Sequence, residues 1–106
     1  KLILQTWPGG SYTYSNTTLN TNVIYNLVAT YNSGSIIYYN NGQNDGTSSH
    51  TFTPSSVPLW IGAYTYYGTP QLTFSGSIYD VRFYNRALSA SEVSQNFNAL
   101  RGRYGI

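Results

Sequence analysis

The sequence contains no cysteine and very little charge. The absence of cysteine excludes disulfides and thiolate metal sites, although it does not decide the compartment. Charged residues make up 8% of the 106 residues, and none occurs between Lys1 and Asp45. Ser, Thr, Asn and Tyr provide the solubility instead. A neutral polar surface of this kind favours a protein exposed to varying salt outside the cell.

The low net charge and the short apolar runs argue against nucleic acid and membrane as partners. The formal net charge is +2, and three of the four arginines, Arg86, Arg101 and Arg103, lie close together near the C-terminus. This is too little positive charge for a nucleic-acid footprint. Polar residues interrupt every apolar run well before the roughly 20 residues that a membrane-spanning helix needs. We therefore predict neither nucleic-acid binding nor membrane insertion.

Groups for acid–base or nucleophilic catalysis are scarce. The carboxylates are Asp45, Asp80 and Glu92, and His50 is the sole imidazole. Glycoside hydrolysis usually needs two closely placed carboxyl groups, and nothing around His50 resembles a nucleophile elbow. We predict no enzymatic activity and no catalytic residue. Calcium requires several oxygen ligands, to which only Asn44 and Asp45 could contribute, so we predict no cofactor.

A helix is predicted near the C-terminus. Ser89 and Glu92 have the spacing of a capping box, in which the hydroxyl and the carboxylate satisfy backbone N–H groups reciprocally. Val93, Phe97 and Leu100 follow at i, i+4 and i+7, as in an amphipathic helix. The pattern predicts one short helix from about Ser89 to Leu100. Gly102 is the predicted stop.

The segment before this helix, residues 74–84, is mostly β-branched or aromatic and predicts a strand. Its parity leaves two arrangements open. If Ile78, Val81 and Phe83 all face the core, a β-bulge must absorb one residue between Ile78 and Val81. Otherwise Tyr79, Val81 and Phe83 form the inner face.

Further strands and turns are predicted upstream. The predicted strands are Lys1 to Leu4, Tyr12 to Leu19, Val23 to Tyr31 and Ser35 to Asn40. Asn41-Gly42 is a strong signal for a two-residue hairpin, because both residues tolerate positive φ. The polar stretch from Gln43 to Ser49 is predicted to be a loop.

Aromatic residues are abundant, with 12 Tyr, 4 Phe and 2 Trp. Leu59 and Ile61 are predicted to point inward, which places Trp60 on the opposite, outward parity. Flat rings with polar groups suit both glycans and protein interfaces. The candidate ligand or interface residues are Trp60, Tyr64, Tyr66, Tyr67, Asn44 and Asp45. The alternative is that a second layer of the same sandwich covers the aromatic residues of this set, so that they pack in the core.

Residues 74–92 read Phe-x-Gly-x-Ile-x-Asp-Val-Arg-x-Tyr-Asn-Arg-Ala-Leu-Ser-x-x-Glu, which resembles the closing signature of laminin-G-like, concanavalin A-like domains. Three upstream runs, 26–32, 39–43 and 58–62, resemble earlier strands of that family in the right order. The family often carries Trp where Ile24 stands here. The resemblance implies an all-β antiparallel jelly roll sandwich with one C-terminal helix.

The resemblance also implies a domain organisation. We predict a single jelly roll domain over residues 1–106 that lacks its natural N-terminal portion, since the opening strands of the family are not recognisable. The chain also begins with Lys1 rather than Met. Some glycanases share this fold, but their clustered acidic strand motif is absent here.

The implied function is a non-catalytic structural or recognition module. Residues 95–106 resemble the C-termini of laminin-G-like domains in structural proteins of tailed bacteriophages. We therefore predict a module of a virion capsid, tail or fibre, or of another extracellular assembly, with other subunits of that assembly as partners in a homo-oligomer. A carbohydrate-binding adhesion module with a polysaccharide partner is the alternative, and a remnant glycanase is the weaker one.

Overall fold

The computed structural model describes residues 1–5, 11–52, 56, 58–66 and 69–106, and for residues 64–66 and 69–72 it describes the backbone. The elements in chain order are β1 (Ile3–Gln5), β2 (Tyr12–Tyr14), β3 (Leu27–Asn32), β4 (Ser35–Asn40), β5 (Gln43–Ser49), β6 (Ala63–Tyr66), β7 (Thr69–Thr73) and α1 (Ala90–Tyr104). The strands form the sheets β1-β2, β3-β4-β5 and β6-β7, and all pairs are antiparallel. The predicted class, antiparallel all-β with one short C-terminal helix, is confirmed.

The chain divides into two compact units. The first unit combines residues 1–52 with residues 84–106, and the second unit spans residues 53–83. Strands β1 to β5 and helix α1 therefore belong to the first unit, whereas β6 and β7 belong to the second.

Two tight turns build the three-stranded sheet of the first unit. Ser33 and Gly34 connect β3 to β4 with φ values of 48° and 87°, and Asn41 and Gly42 connect β4 to β5 with 49° and 78°. Two successive residues with positive φ are typical of the type I′ turn, whose twist matches that of the strands it joins. The predicted Asn41-Gly42 hairpin is confirmed.

This hairpin also explains two strand boundaries that were predicted wrongly. Gln43–Ser49 is a strand rather than a loop, because the turn brings it onto β4 despite its low strand propensity. Strand β3 begins at Leu27, not at Val23, because Leu27 pairs with Asn40, the last residue of β4. Residues upstream of Leu27 lie beyond the end of that ladder.

Strand β2 of the first unit is shorter than predicted. β2 covers Tyr12–Tyr14 rather than extending to Leu19. It pairs with β1, and the backbone N–H of Ser15 then donates to the carbonyl of Leu2 over 2.9 Å. Beyond this bond the chain turns away toward β5.

Strand β4 lies at the centre of the first unit, with buried side chains on both of its faces. Tyr38 is fully buried, and its hydroxyl is hydrogen-bonded to the hydroxyl of Thr13 in β2. On the opposite parity, Tyr39 forms a buried cluster with Leu88 and Val93 from the helical end of the chain. Burying such side chains removes apolar area from water, which is the main stabilising contribution to the unit.

The N-terminus of α1 has the predicted cap. The Ser89 hydroxyl accepts a hydrogen bond from the Glu92 N–H over 3.1 Å, and the Glu92 carboxylate accepts one from the Ser89 N–H over 3.1 Å. Val93 and Phe97 are the buried residues of the helix, and Leu100, the third residue of the predicted stripe, is half-buried. The capping box and the apolar stripe are therefore confirmed.

The C-terminus of α1 differs from the prediction. The helix continues through Gly102 to Tyr104, and Gly105 ends it with φ 69° and ψ 32°. This left-handed conformation suits glycine, and the Gly105 N–H donates to the carbonyl of Arg101. Among the residues that the structure describes, none has an atom within 4 Å of a Cβ added at Gly102, so this exposed glycine lies on the helix surface and does not end the helix.

Residues 74–84, by contrast, are not a strand. Ile78, Tyr79, Val81 and Phe83 are all exposed, so both core arrangements predicted for this segment are wrong. The described residues of the second unit form one two-stranded ladder, β6-β7, and these side chains are not buried against it.

Candidate functional site

The second unit exposes an unusual number of large apolar side chains. We call them the apolar surface, and 42–72% of the area of each residue is accessible: Leu59, Trp60, Ile61, Phe74, Ile78, Tyr79, Val81 and Phe83. Soluble proteins rarely expose large apolar patches without using them for interaction. The apolar surface is therefore the leading candidate for a functional site.

Contacts around Gly62 bring two parts of the apolar surface together. The backbone N–H of Phe74 donates to the carbonyl of Gly62 over 2.7 Å. A side-chain carbon built on Gly62 would lie 3.1 Å from the Ile78 Cδ1 atom and 3.4 Å from the Phe74 Cβ atom. Residues 59–61, which precede Gly62, therefore lie beside the segment that begins at Phe74.

The structure places the sequence-predicted site residues in both units. Trp60 is 42% exposed, less than either of its neighbours. Leu59 and Ile61 were predicted to point inward, but both are exposed, so the predicted alternation is wrong. Tyr64 and Tyr66 lie in β6, and Tyr67 lies outside the described residues.

Asn44 and Asp45 lie in β5 of the first unit, apart from the apolar surface in the chain. Asp45 is buried, and its carboxylate accepts hydrogen bonds from the Thr17 N–H over 3.0 Å and from the Thr17 hydroxyl over 2.6 Å. The Asn44 side-chain oxygen accepts from the Gly46 N–H over 3.0 Å. Both side chains thus stabilise the local chain path.

The other two carboxylates also have partners. Asp80 accepts a hydrogen bond from the Arg82 Nε over 3.0 Å. Glu92 binds both terminal nitrogens of Arg86, one of them at 2.8 Å. Hydrogen bonds from Arg86 and from the Ser89 backbone lower the pKa of Glu92 to about 2. Within the described ranges, no three His, Cys, Asp or Glu residues are grouped so that they could hold a metal ion.

Sequence reasoning missed a pair of tyrosines in β2. Tyr12 and Tyr14 are exposed, and their ring centroids lie 6.1 Å apart. The Lys1 Nζ atom lies 4.6 Å from the centroid of the Tyr14 ring, in the range of a cation–π contact. The alternation Tyr-x-Tyr in a strand was the available signal, since it places both rings on one face.

A polar groove was also missed. It has a volume of about 580 Å³ and is lined by Ser33, Gly34, Ser35, Ser49, His50 and Thr51. The Phe52 ring beside it lies 5.0 Å from the His50 ring and 4.8 Å from the Tyr31 ring. The groove forms where the β3–β4 turn meets the end of β5, and the sequence predicted a loop in place of that strand.

No described helix has the length and apolar character that crossing a membrane requires. The fold and the exposed surfaces together define an antiparallel β module with a C-terminal helix. The sequence profile of the concanavalin A-like lectin/glucanases superfamily matches residues 1–94. The chain belongs to this superfamily, in agreement with the resemblance of residues 74–92.

A solved structure shows the same fold. It is an S-layer domain-containing protein (residues 221–444) from Clostridium thermocellum, with a TM-score of 0.65 and 23% sequence identity. The alignment covers 84% of this chain and 46% of that chain, so this chain spans about half of that structure. A comparison with curated proteins gave no match.

Proposed function

We propose that the chain is a non-catalytic structural or recognition module of an assembly on a virion or cell exterior, and that it joins other subunits through its apolar surface. The exposure of that surface carries the proposal. At about 25 cal/mol per Å² of apolar area, covering such side chains is a substantial driving force for association. The low charge adds little electrostatic repulsion between subunits.

The engagement of all three carboxylates supports a non-catalytic role. Asp45 is bonded to Thr17, Asp80 to Arg82, and Glu92 to Arg86 and the helix cap. A general acid in glycoside hydrolysis needs a raised pKa, whereas the pKa of Glu92 is lowered to about 2. The hydrogen bonds of the three carboxylates therefore favour a structural role for these groups over proton transfer in catalysis.

The comparisons support the setting of the proposal. The superfamily includes binding modules, and the similar solved structure is an S-layer domain-containing protein, which is compatible with a surface location. The resemblance of residues 95–106 to tailed-bacteriophage structural proteins favours a virion as the assembly.

Sedimentation velocity of the chain and of two variants tests the proposal. We expect a defined oligomer, weakened at least tenfold by Trp60→Ala and unaffected by the control Tyr12→Ala, an exposed tyrosine of the first unit. Circular dichroism checks that both variants are folded. A monomer at every concentration, or equal effects of the two substitutions, would contradict the proposal.

A second candidate function is carbohydrate binding, favoured by the paired rings of Tyr12 and Tyr14. Sugar rings present C–H faces that can stack on aromatic rings, and the two centroids are 6.1 Å apart on an exposed face. A glycan array should then show saturable binding that is lost in Tyr12→Ala and Tyr14→Ala but kept in Trp60→Ala. Absence of binding across a broad array would reject this function.

A further inference from the structure

The segment 79–83 has a charge pattern that is complementary to itself. Its sequence is Tyr-Asp-Val-Arg-Phe, so Val81 has Asp80 on one side and Arg82 on the other, with an aromatic residue at each end. If two identical segments run antiparallel and centre on Val81, each Asp80 lies opposite an Arg82. The aromatic ends, Tyr79 and Phe83, also lie opposite each other.

The structure shows that this segment is accessible for such pairing. Tyr79 and Phe83 are exposed by 65% and 70%, and Val81 by 46%. Asp80 and Arg82 are also exposed, and the 3.0 Å bond between them places their side chains close together. The segment lies outside the β6-β7 ladder, although its residues are rich in β-branched and aromatic types.

We propose that residues 79–83 pair as an antiparallel strand with the same residues of a second copy of this chain, with the two-fold axis at Val81. This inference rests on the proposed function and names the partner and the register. A C2 interface uses the same patch on both subunits, so that patch must be complementary to itself. Residues 79–83 meet this requirement, because Asp80 and Arg82 lie on either side of Val81.

Charge and packing both favour a second copy over an unrelated strand. In the proposed register each copy supplies an acid opposite a base, so two interchain ion pairs form and no charge lies opposite a like charge. Successive side chains of a strand point to opposite faces. Tyr79, Val81 and Phe83 of both copies therefore share one face, where they form a continuous apolar layer.

Charge reversal tests the register. Asp80→Arg alone, or Arg82→Asp alone, places like charges opposite each other at both pairs, and we expect each variant to weaken the dimer at least tenfold. The exchange Asp80→Arg/Arg82→Asp restores the complementarity and should retain the dimer. A mixture of the two single variants should form a heterodimer that neither forms with itself.

Cysteine crosslinking tests the position of the axis in a chain that has no native cysteine. Residues opposite each other in antiparallel strands have Cα atoms about 4.5–5.5 Å apart, within the range of a disulfide. Val81→Cys should therefore form an interchain disulfide on mild oxidation. In the matched control Ile78→Cys, also exposed, the two cysteines would lie about 20 Å apart and should crosslink far more slowly.

The outcomes separate this inference from the proposed function. Loss of the dimer in both single variants, its return in the mixture, and faster crosslinking at position 81 would support the inference. An oligomer that depends on Trp60 but tolerates both charge reversals would overturn the inference and leave the proposed function intact. A chain that stays monomeric at every concentration would contradict both.

Discussion

Replacing Gly42 with alanine would test how closely the turn between β4 and β5 is fitted to the helix. Gly42 has φ 78°, in the left-handed region. An alanine side-chain carbon at this position would lie 2.9 Å from the Phe97 Cδ1 atom and 3.1 Å from the Phe97 Cβ atom. Carbon atoms in contact normally lie about 3.5–4.0 Å apart. The substitution therefore strains the backbone and also pushes against the helix.

The two costs can be estimated separately. A left-handed conformation costs a non-glycine residue about 1–2 kcal/mol, and an overpacked contact costs about 1–3 kcal/mol. We expect Gly42→Ala to lower the free energy of unfolding by about 2–5 kcal/mol. For a domain of this size, whose total is typically about 5–15 kcal/mol, the loss would be severe.

Gly34→Ala is a matched control for the backbone cost. Gly34 occupies the same position in the β3–β4 turn with φ 87°, but its nearest neighbours are the His50 carbonyl at 3.8 Å and the Thr51 hydroxyl at 4.0 Å. Gly34→Ala should therefore lower the free energy of unfolding by only about 1–2 kcal/mol. Both changes stiffen the unfolded chain similarly, so that effect cancels in the comparison.

Urea denaturation followed by circular dichroism measures the difference between the two variants. A second background, Phe97→Ala, should reduce the cost of Gly42→Ala, because it removes the Phe97 Cγ and Cδ1 atoms, which would lie 3.2 Å and 2.9 Å from the added methyl group. Equal losses in Gly42→Ala and Gly34→Ala, or no coupling between positions 42 and 97, would refute the close contact between turn and helix.

Three further predictions concern the cap and the buried acid. Ser89→Ala should cost about 1 kcal/mol in denaturation, whereas the exposed control Ser91→Ala should change little, and equal effects would contradict the cap. Because the pKa of Glu92 is lowered from 4.5 to about 2, its stabilisation should be complete above pH 4.5 and be lost as the pH falls toward 2. The difference between the parent and Glu92→Gln, measured against pH, should therefore shrink in that window, and a constant difference would disprove the assignment. Asp45→Ala removes the acceptor for Thr17 and should cost about 1–3 kcal/mol in the same assay, whereas a loss below 0.5 kcal/mol would argue against this role.

The features that the sequence predicted correctly are set by local interactions. The Asn41-Gly42 turn depends on two residues that tolerate positive φ, and the cap of α1 depends on a serine and a glutamate three positions apart. Neither requires knowledge of the rest of the chain. The closing signature was similarly sufficient to identify the superfamily.

The incorrect predictions depend on tertiary pairing. Gln43–Ser49 looks like a loop by composition, and it becomes a strand because β4 provides its partner. Residues 74–84 have the composition of a strand but are exposed and irregular, because a strand needs a neighbour that local sequence cannot specify. The prediction that Leu59 and Ile61 point inward failed for the same reason. The alternation of side chains predicts which residues are buried only where the segment forms a strand of a sheet, and residues 59–61 do not.

The exposed tyrosines and the polar groove depend on the three-dimensional arrangement to different degrees. The spacing of Tyr12 and Tyr14 was visible in the sequence, but their exposure depends on what covers β2. The groove requires the turn at Gly34 to meet residues at the end of β5. The groove could therefore not be predicted from a sequence in which residues 43–49, now strand β5, look like a loop.

The first unit is assembled from both ends of the chain, with residues 53–83 between its two parts. That intervening segment acts as a tether, which keeps the helix at a high effective concentration near the sheet. Cutting the tether would convert helix docking into an association between two separate peptides. After a single cleavage within residues 53–83, we expect the thermal midpoint to depend more steeply on protein concentration than that of the uncut chain, because the two fragments must then associate in addition to the subunits.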